Sequence, residues 1–141
     1  MAKRILVPLD RGDRPIVPVV GALARGAGAT VRLLRVVPVP EMRIGDYGRV
    51  VSYIDQEMES ARSRAQDDLR SVAAELDDVP VESVVRFGDP VDEILLEADA
   101  FSADVIAMAE PRRGVLSRAV RTTVAGRVAR KAETPVLVLR D

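Results

Sequence analysis

The stretch that decides the fold runs from Ala107 to Asp141 and reads AMAEPRRGVLSRAVRTTVAGRVARKAETPVLVLRD. Its first residues have the apolar character of a buried strand, and an Arg-rich loop follows from Glu110 to about Thr122. Thr122 or Thr123 is a suitable N-cap for a short helix, because a hydroxyl there accepts an exposed backbone N–H. The last apolar run, Val136 to Arg140, predicts another strand. The stretch therefore predicts a strand–helix–strand unit with parallel strands.

Upstream of this unit, apolar runs alternate with helix signals. The predicted strands are Arg4–Leu9, Thr30–Val37, Val79–Phe87 and Asp104–Ala109. Asp13 is the predicted N-cap of the first helix, and Gly26 and Gly28 are predicted to end it. A pattern typical of a capping box, Ser52 to Asp55, predicts the start of a long second helix. Asp89 is the predicted cap of the third helix.

This strict alternation predicts one α/β domain, residues 1–141, built as an open five-stranded parallel sheet with helices on both faces. In open sheets of this kind, ligands bind beyond the carboxyl ends of the strands. The residues expected at that edge are Asp10, Val36, Val37, Gly88 and those from Ala109 to Thr123. Any small-molecule site should therefore lie there.

The composition argues against several classes of function. The chain is 48% hydrophobic and 30% charged, as globular proteins are, but only 3% aromatic. Few aromatic rings and a net charge of -1 predict no nucleic-acid partner and no attraction to an anionic membrane. The absence of Cys and His predicts no catalytic residues and no metal site. The opening MAKRILVPLDRGD has too short an apolar run for a signal peptide, which predicts a cytoplasmic protein.

Several segments, taken together, point to a known family. They are RILVPLD, LLRVV, GDPVDEILLEA, ADVIAMA and VAGRVARKAETPVLVLR. They cover nearly the whole chain, and they resemble the universal stress protein family. The resemblance implies the strand order 3-2-1-4-5 and a homodimer. In many members the last strands pair across the dimer, which implies an interface here at Val136, Leu137, Val138 and Leu139.

Many members of that family bind ATP through the motif G-x-x-G, nine residues, then G-[S/T]. The matching positions here are Ala109, Arg112, Thr122 and Thr123. Only Thr123 fits the motif. Glycines at such positions let backbone N–H groups approach phosphates closely, whereas the side chain of Arg112 enters the same space. By the same resemblance, Pro8 and Val36 line the base site, and Asp10 accepts a hydrogen bond from the base or ribose.

Each of these groups also has an ordinary structural explanation. Asp10 is equally well explained as a loop carboxylate that accepts backbone N–H groups at the start of the first helix. The Arg cluster is equally well explained as a solvated loop, in which each charge pairs with a neighbour such as Glu110 or Asp10. Alternatively, Arg112 and the other arginines of the loop hold an anion through their side chains.

The favoured function is a regulatory stress-response domain that works as a homodimer and through an unidentified protein partner, with no ATP cofactor. The alternative is an ATP-binding member, with or without Mg, that holds the nucleotide through Asp10 and the Arg-rich loop and turns it over slowly. An enzyme of the wider nucleotide-binding α/β group lacks support, because DRGDRP replaces the glycine-rich loop after the first strand. A phosphoacceptor receiver domain lacks its expected Lys, where Val138, Leu139 and Arg140 stand.

Overall fold

The computed structural model describes residues 3–10, 13–39, 47–110 and 123–140, except for the side chains of 47–53. The elements within these ranges are β1 (Lys3–Pro8), α1 (Ile16–Ala27), β2 (Ala29–Val37), α2 (Tyr47–Ala74), β3 (Val81–Phe87), α3 (Pro90–Phe101), β4 (Val105–Glu110), α4 (Val124–Lys131) and β5 (Val136–Arg140). None of the helices in this part of the chain has the combined length and apolar character that crossing a membrane requires.

The strands form one parallel sheet of five in the order β3-β2-β1-β4-β5. This confirms the predicted fold, including the strand order that the family resemblance implies. Helices α1 and α2 cover one face and α3 and α4 cover the other, because each pair shares a separate cluster of buried apolar side chains. In the central strand β1, Leu6 and Val7 are 0% and 1% exposed. Burial on both faces explains why the strand is continuously apolar from Ile5 to Pro8.

The ends of α1 correct two predictions. Asp13 is not the N-cap. Pro15 occupies that position, and the helix start has no side-chain capping bond. The Asp13 carboxylate instead accepts the N–H of Asp10. Gly26 lies inside the helix, whereas Gly28 ends it with a left-handed φ of 64°. Glycine adopts that conformation without the steric cost that a Cβ adds.

The predicted start of α2 is also wrong. The helix begins already at Tyr47, so the Ser52 to Asp55 segment lies within it and is not a capping box. Serine is tolerated inside helices as well as at their starts, so the local pattern does not fix the boundary.

The caps of the two later helices agree with the sequence. At the start of α3, the Asp89 carboxylate accepts the N–H of Asp92 at 3.0 Å. At the start of α4, the Thr123 hydroxyl accepts the N–H of Gly126 at 3.0 Å. Of the two threonines proposed for that cap, Thr123 therefore holds the position.

A buried carboxylate, Glu97, ties α3 to the strands at one side of the sheet. Glu97 is 3% exposed, and its oxygens accept from Arg32 of β2 at 2.6 Å and from Arg86 of β3 at 3.0 Å. The bonds that Arg86 makes to Glu93 and then to Glu97 raise the pKa of its guanidinium. Arg32 also lies over the ring of Phe101, with its central carbon 4.2 Å from the ring centroid. Charges that are paired in this way tolerate burial.

Replacing Glu97 with Gln should destabilise the fold while preserving its shape. The neutral amide leaves Arg32 and Arg86 without their shared counter-charge, and we expect the free energy of unfolding to fall by about 3 kcal/mol. Urea unfolding measures the loss, and Glu59→Gln on the exposed side of α2 is the control, with an expected change under about 0.5 kcal/mol. If Glu97→Gln is as stable as wild type, the ion pairs contribute nothing net.

Candidate functional site

The carboxyl ends of β1 and β2 bring three of the predicted ligand residues to one edge of the sheet. Pro8 is the last residue of β1, is buried, and lies beside Leu34 of β2 in the register. Asp10 follows β1 and is exposed. Val36 lies near the end of β2, partly buried against the apolar cluster beneath α3 and α4. Their contacts with a nucleotide remain predictions.

The positions of the ATP motif are only partly within the described chain. Ala109 lies in β4 and packs against the apolar cluster beneath α1 and α2. Thr123 is the N-cap of α4. Arg112 and Thr122 fall outside the described residues, so their proposed roles toward ATP remain predictions.

Glu110 is a candidate functional residue that the sequence suggested only as a charge partner for the Arg-rich loop. It is the last residue of β4 rather than the first of a loop, and it is only 5% exposed. Its Oε1 accepts a hydrogen bond from the Thr123 hydroxyl at 2.7 Å, and its Oε2 accepts from Nε of Arg140 at 2.9 Å. The second bond follows from the register, which places Glu110 beside Arg140 of β5. The carboxylate is thus held between the start of α4 and the last strand.

The burial of Glu110 can be inferred from the sequence once β4 is known to end at this residue. Side chains alternate along a strand, so Ile106, Met108 and Glu110 share one face. Ile106 and Met108 are both buried on the side of α3 and α4. Extending the strand by one residue therefore turns Glu110 toward α4 and away from solvent.

Thr123 uses its hydroxyl as both acceptor and donor within the protein. The oxygen accepts the N–H of Gly126 at 3.0 Å, and the proton is donated to Glu110 at 2.7 Å. The N-terminus of a helix carries partial positive charge and is a common place for a bound anion. In this chain the negative group beside the cap is the protein's own carboxylate.

The exit from β1 is closed by a reciprocal pair of bonds between Asp10 and Asp13. The Asp10 N–H donates to the Asp13 carboxylate at 2.7 Å, and the Asp13 N–H donates to the Asp10 carbonyl at 3.3 Å. Partial burial is the largest cause and raises the pKa of Asp13; the bond from the Asp10 N–H lowers it by less, and the nearby charges of Asp10 and Arg35 raise and lower it by still less. In this turn Asp13 supplies the accepting carboxylate, a role that the sequence suggested for Asp10.

A cleft of about 520 Å³ opens beside this turn, next to α1 and α2. Its apolar lining is formed by Leu9, Val17 and Val72. Its charged lining consists of Asp10, Asp13, Arg14, Arg35, Arg64, Asp67 and Asp68. Among the predicted ligand residues that the structure describes, Asp10 alone lines the cleft; Pro8, Val36, Ala109 and Thr123 do not. The cleft and the predicted nucleotide residues therefore overlap only at Asp10.

Comparison with known proteins places the chain in a family. The model of the Universal stress protein family matches residues 1–140. The chain belongs to the universal stress protein family. No curated protein matches it.

Solved structures share the fold of this universal stress protein over nearly their full length. Hypothetical protein MJ0577 is 23% identical with a TM-score of 0.80, and the match covers 99% of this chain and 96% of that one. A universal stress protein in complex with cAMP is 20% identical with a TM-score of 0.66, covering 98% and 96%. A universal stress protein from Archaeoglobus fulgidus in complex with dAMP is 19% identical with a TM-score of 0.64, covering 96% of each. At these identities the likeness establishes the fold alone.

Replacing Asp13 with Asn should stabilise this universal stress protein at neutral pH. Because burial raises the pKa of Asp13 above its ordinary 3.8, its contribution to stability is present below 3.8 and is lost as pH rises through the raised pKa. An Asn oxygen still accepts the Asp10 N–H but brings no charge into this half-buried turn. Urea unfolding between about pH 7 and about pH 4 should show a stability gain for Asp13→Asn that shrinks as the pH falls.

Asp55→Asn is the control for this experiment, because Asp55 is an exposed carboxylate on α2. It should show no comparable trend with pH. A gain for Asp13→Asn that stays constant across the pH range would contradict the assignment of the effect to the half-buried charge of Asp13.

Proposed function

We propose that this universal stress protein is a cytoplasmic regulatory domain of the stress response. In this proposal it acts as a homodimer, catalyses no reaction, and holds no ATP in the manner of the family's glycine motif. The observation that carries the proposal of a homodimer is the outer edge of β5. The bond between Glu110 and Thr123 supports the absence of ATP held through the glycine motif.

Strand β5 lies at the end of the sheet, with β4 as its one strand neighbour in the described chain. The outer edge of such a strand offers backbone N–H and C=O groups that pair readily with another strand. Leu137 of β5 is 40% exposed, although leucine is usually buried. A second copy of the chain supplies the same strand and the same leucine, as a two-fold interface requires.

The opposite edge of the sheet has a different character. Strand β3 exposes Glu82 and Ser83, and the Glu82 carboxylate pairs with Arg32 of β2 at 3.3 Å. Charged side chains on an edge strand discourage pairing with other chains. Strand β5 is apolar from Val136 to Leu139, and its Arg140 bonds to the buried carboxylate of its neighbour strand. This asymmetry favours β5 as the edge for assembly.

The predicted interface residues do not all face outward. Val136 and Val138 pack against the cluster beneath α3 and α4, and Leu139 packs against the opposite cluster. A charge at Val138 would therefore damage the core as well as an interface. Leu137 is the exposed member of the set and is the better position at which to test assembly.

The absence of motif-held ATP is supported by Thr123, the one motif position that fits the pattern. Ala109 replaces a motif glycine, and its methyl group packs against the core cluster beneath α1 and α2. The Thr123 hydroxyl is already donated to Glu110. The alternative is an ATP-binding protein, with or without Mg, that uses Asp10 and the Arg-rich loop. Structures of similar fold in complex with cAMP and dAMP favour a nucleotide as the ligand class in that case.

Leu137→Asp should convert the dimer into a monomer with an unchanged fold. Strands paired about a two-fold axis bring the introduced carboxylates close together, and like charges facing each other in a sheet are destabilising. Light scattering after size exclusion measures the mass, against a chain mass of 15.3 kDa. Leu96→Asp is the matched control, because Leu96 of α3 is also exposed, at 52%, and should leave the dimer intact.

A dimeric Leu137→Asp protein would contradict the proposed interface. A monomeric wild-type protein would contradict homodimerisation and would leave the β5 edge for strand addition by a different protein.

Wild-type protein should give no saturable heat of binding when it is titrated with millimolar ATP and Mg. The reason is that the glycine positions carry side chains and the Thr123 hydroxyl is bonded to Glu110. Calorimetry measures binding directly, and the absorbance of purified protein shows whether adenine is carried through purification. Saturable binding, or retained adenine, favours the ATP-binding alternative over the proposal.

A further inference from the structure

We propose that Glu110 is a built-in anion that occupies the N-terminus of α4 and excludes phosphate groups from it. This inference deepens the proposed function, and it rests on the part of that function which says that no ATP is held through Thr123. The proposal names the residue that determines specificity at this position. It also names the rejected ligand class, which is polyphosphates and phosphate esters whose phosphate would contact Thr123.

The position of the carboxylate carries the inference. Its Oε1 lies 2.7 Å from the Thr123 hydroxyl oxygen, and Thr123 is the N-cap of α4. A phosphate bound through that hydroxyl would need the volume that the carboxylate fills. The phosphate would also need a hydrogen bond from the Thr123 hydroxyl. That hydroxyl has a single proton, which it already donates to Glu110. Phosphate and carboxylate therefore compete for the same donor.

Like charge strengthens this exclusion. Glu110 is 5% exposed, so little water screens its charge from a second anion placed beside it. Arg140 pairs with the carboxylate at 2.9 Å, but the Arg140 side chain is 69% exposed. Solvent therefore screens the arginine more than it screens the carboxylate. The start of α4 consequently meets a fixed negative charge from the protein.

A purely structural explanation is that Glu110 only fastens β5 to β4 through Arg140. The two explanations differ when either partner is replaced. Glu110→Gln and Arg140→Gln both break the ion pair, but only Glu110→Gln removes the negative charge beside Thr123. If fastening were the whole role, the two variants would behave alike toward anions.

The test is calorimetric titration with inorganic pyrophosphate at an ionic strength held constant with sodium chloride. Pyrophosphate has no base or ribose, so it reports on phosphate exclusion separately from nucleotide recognition. We expect Glu110→Gln to bind it at least roughly tenfold more tightly than wild type, and Arg140→Gln to show no gain. Glu133→Gln removes an exposed carboxylate just before β5, controls for net charge, and should match wild type.

Glu110→Gln removes only the charge, whereas Glu110→Ala also empties the volume and frees the Thr123 proton. Equal affinity of wild type and both folded variants overturns the proposal, and so does an equal gain in Arg140→Gln. If circular dichroism shows that Glu110→Gln is unfolded, Glu110→Ala alone is titrated. Thermal unfolding of wild type is a second measurement. No rise of the midpoint in pyrophosphate over matched chloride supports the proposal, and a rise overturns it. The proposed function is tested separately. Saturable ATP binding by wild type would contradict it, whether or not wild type and Glu110→Gln differ in their affinity for pyrophosphate.

Discussion

Burial of β1 on both of its faces is the constraint on which the rest of the structure depends. Ile5, Leu6 and Val7 are all 4% exposed or less, so the strand requires helices over both faces and strands along both edges. β2 and β4 supply the edges, and the crossovers that reach them run on opposite faces of the sheet. This change of direction is where ligand sites form in open parallel sheets. The positions of Asp10 and Glu110 at one edge follow from it.

Two buried carboxylates show how location changes what the same chemical group does. Glu97 and Glu110 are 3% and 5% exposed. Glu97 lies between Arg32 and Arg86 of neighbouring strands, so arginines pair with both of its oxygens, and its role is to hold α3 on the sheet. Glu110 accepts from one arginine and from the hydroxyl that begins α4. It places a negative charge at a helix N-terminus at the carboxyl edge, which fastening two strands together does not require.

The sequence predicts those features that depend on residues close together in the chain. The bounds of β5 and the cap at Asp89 are confirmed, because apolar runs and capping residues act over a few positions. The partner of Glu110 is Arg140, 30 residues later, and only the β4–β5 register brings the two together. Asp13 has the chemistry of a helix cap, but the turn at the end of β1 gives it a different N–H to accept. The Glu110–Arg140 contact depends on tertiary position, which no local pattern contains, whereas the Asp10–Asp13 bond is local and the sequence left open which of two nearby carboxylates accepts in the turn.

The bonds from Thr123 through Glu110 to Arg140 connect the start of α4 with the edge strand. If the protein's own carboxylate satisfies that helix start, the β4–α4–β5 unit is complete without a ligand. The order of β5 then does not depend on a nucleotide, and its outer edge is presented whether or not one is bound at the carboxyl edge. Homodimerisation at β5 would in that case be constitutive. On the two proposals made above, Glu110 would keep phosphate from the start of α4 and would also, through Arg140, hold β5 in place for assembly without a ligand.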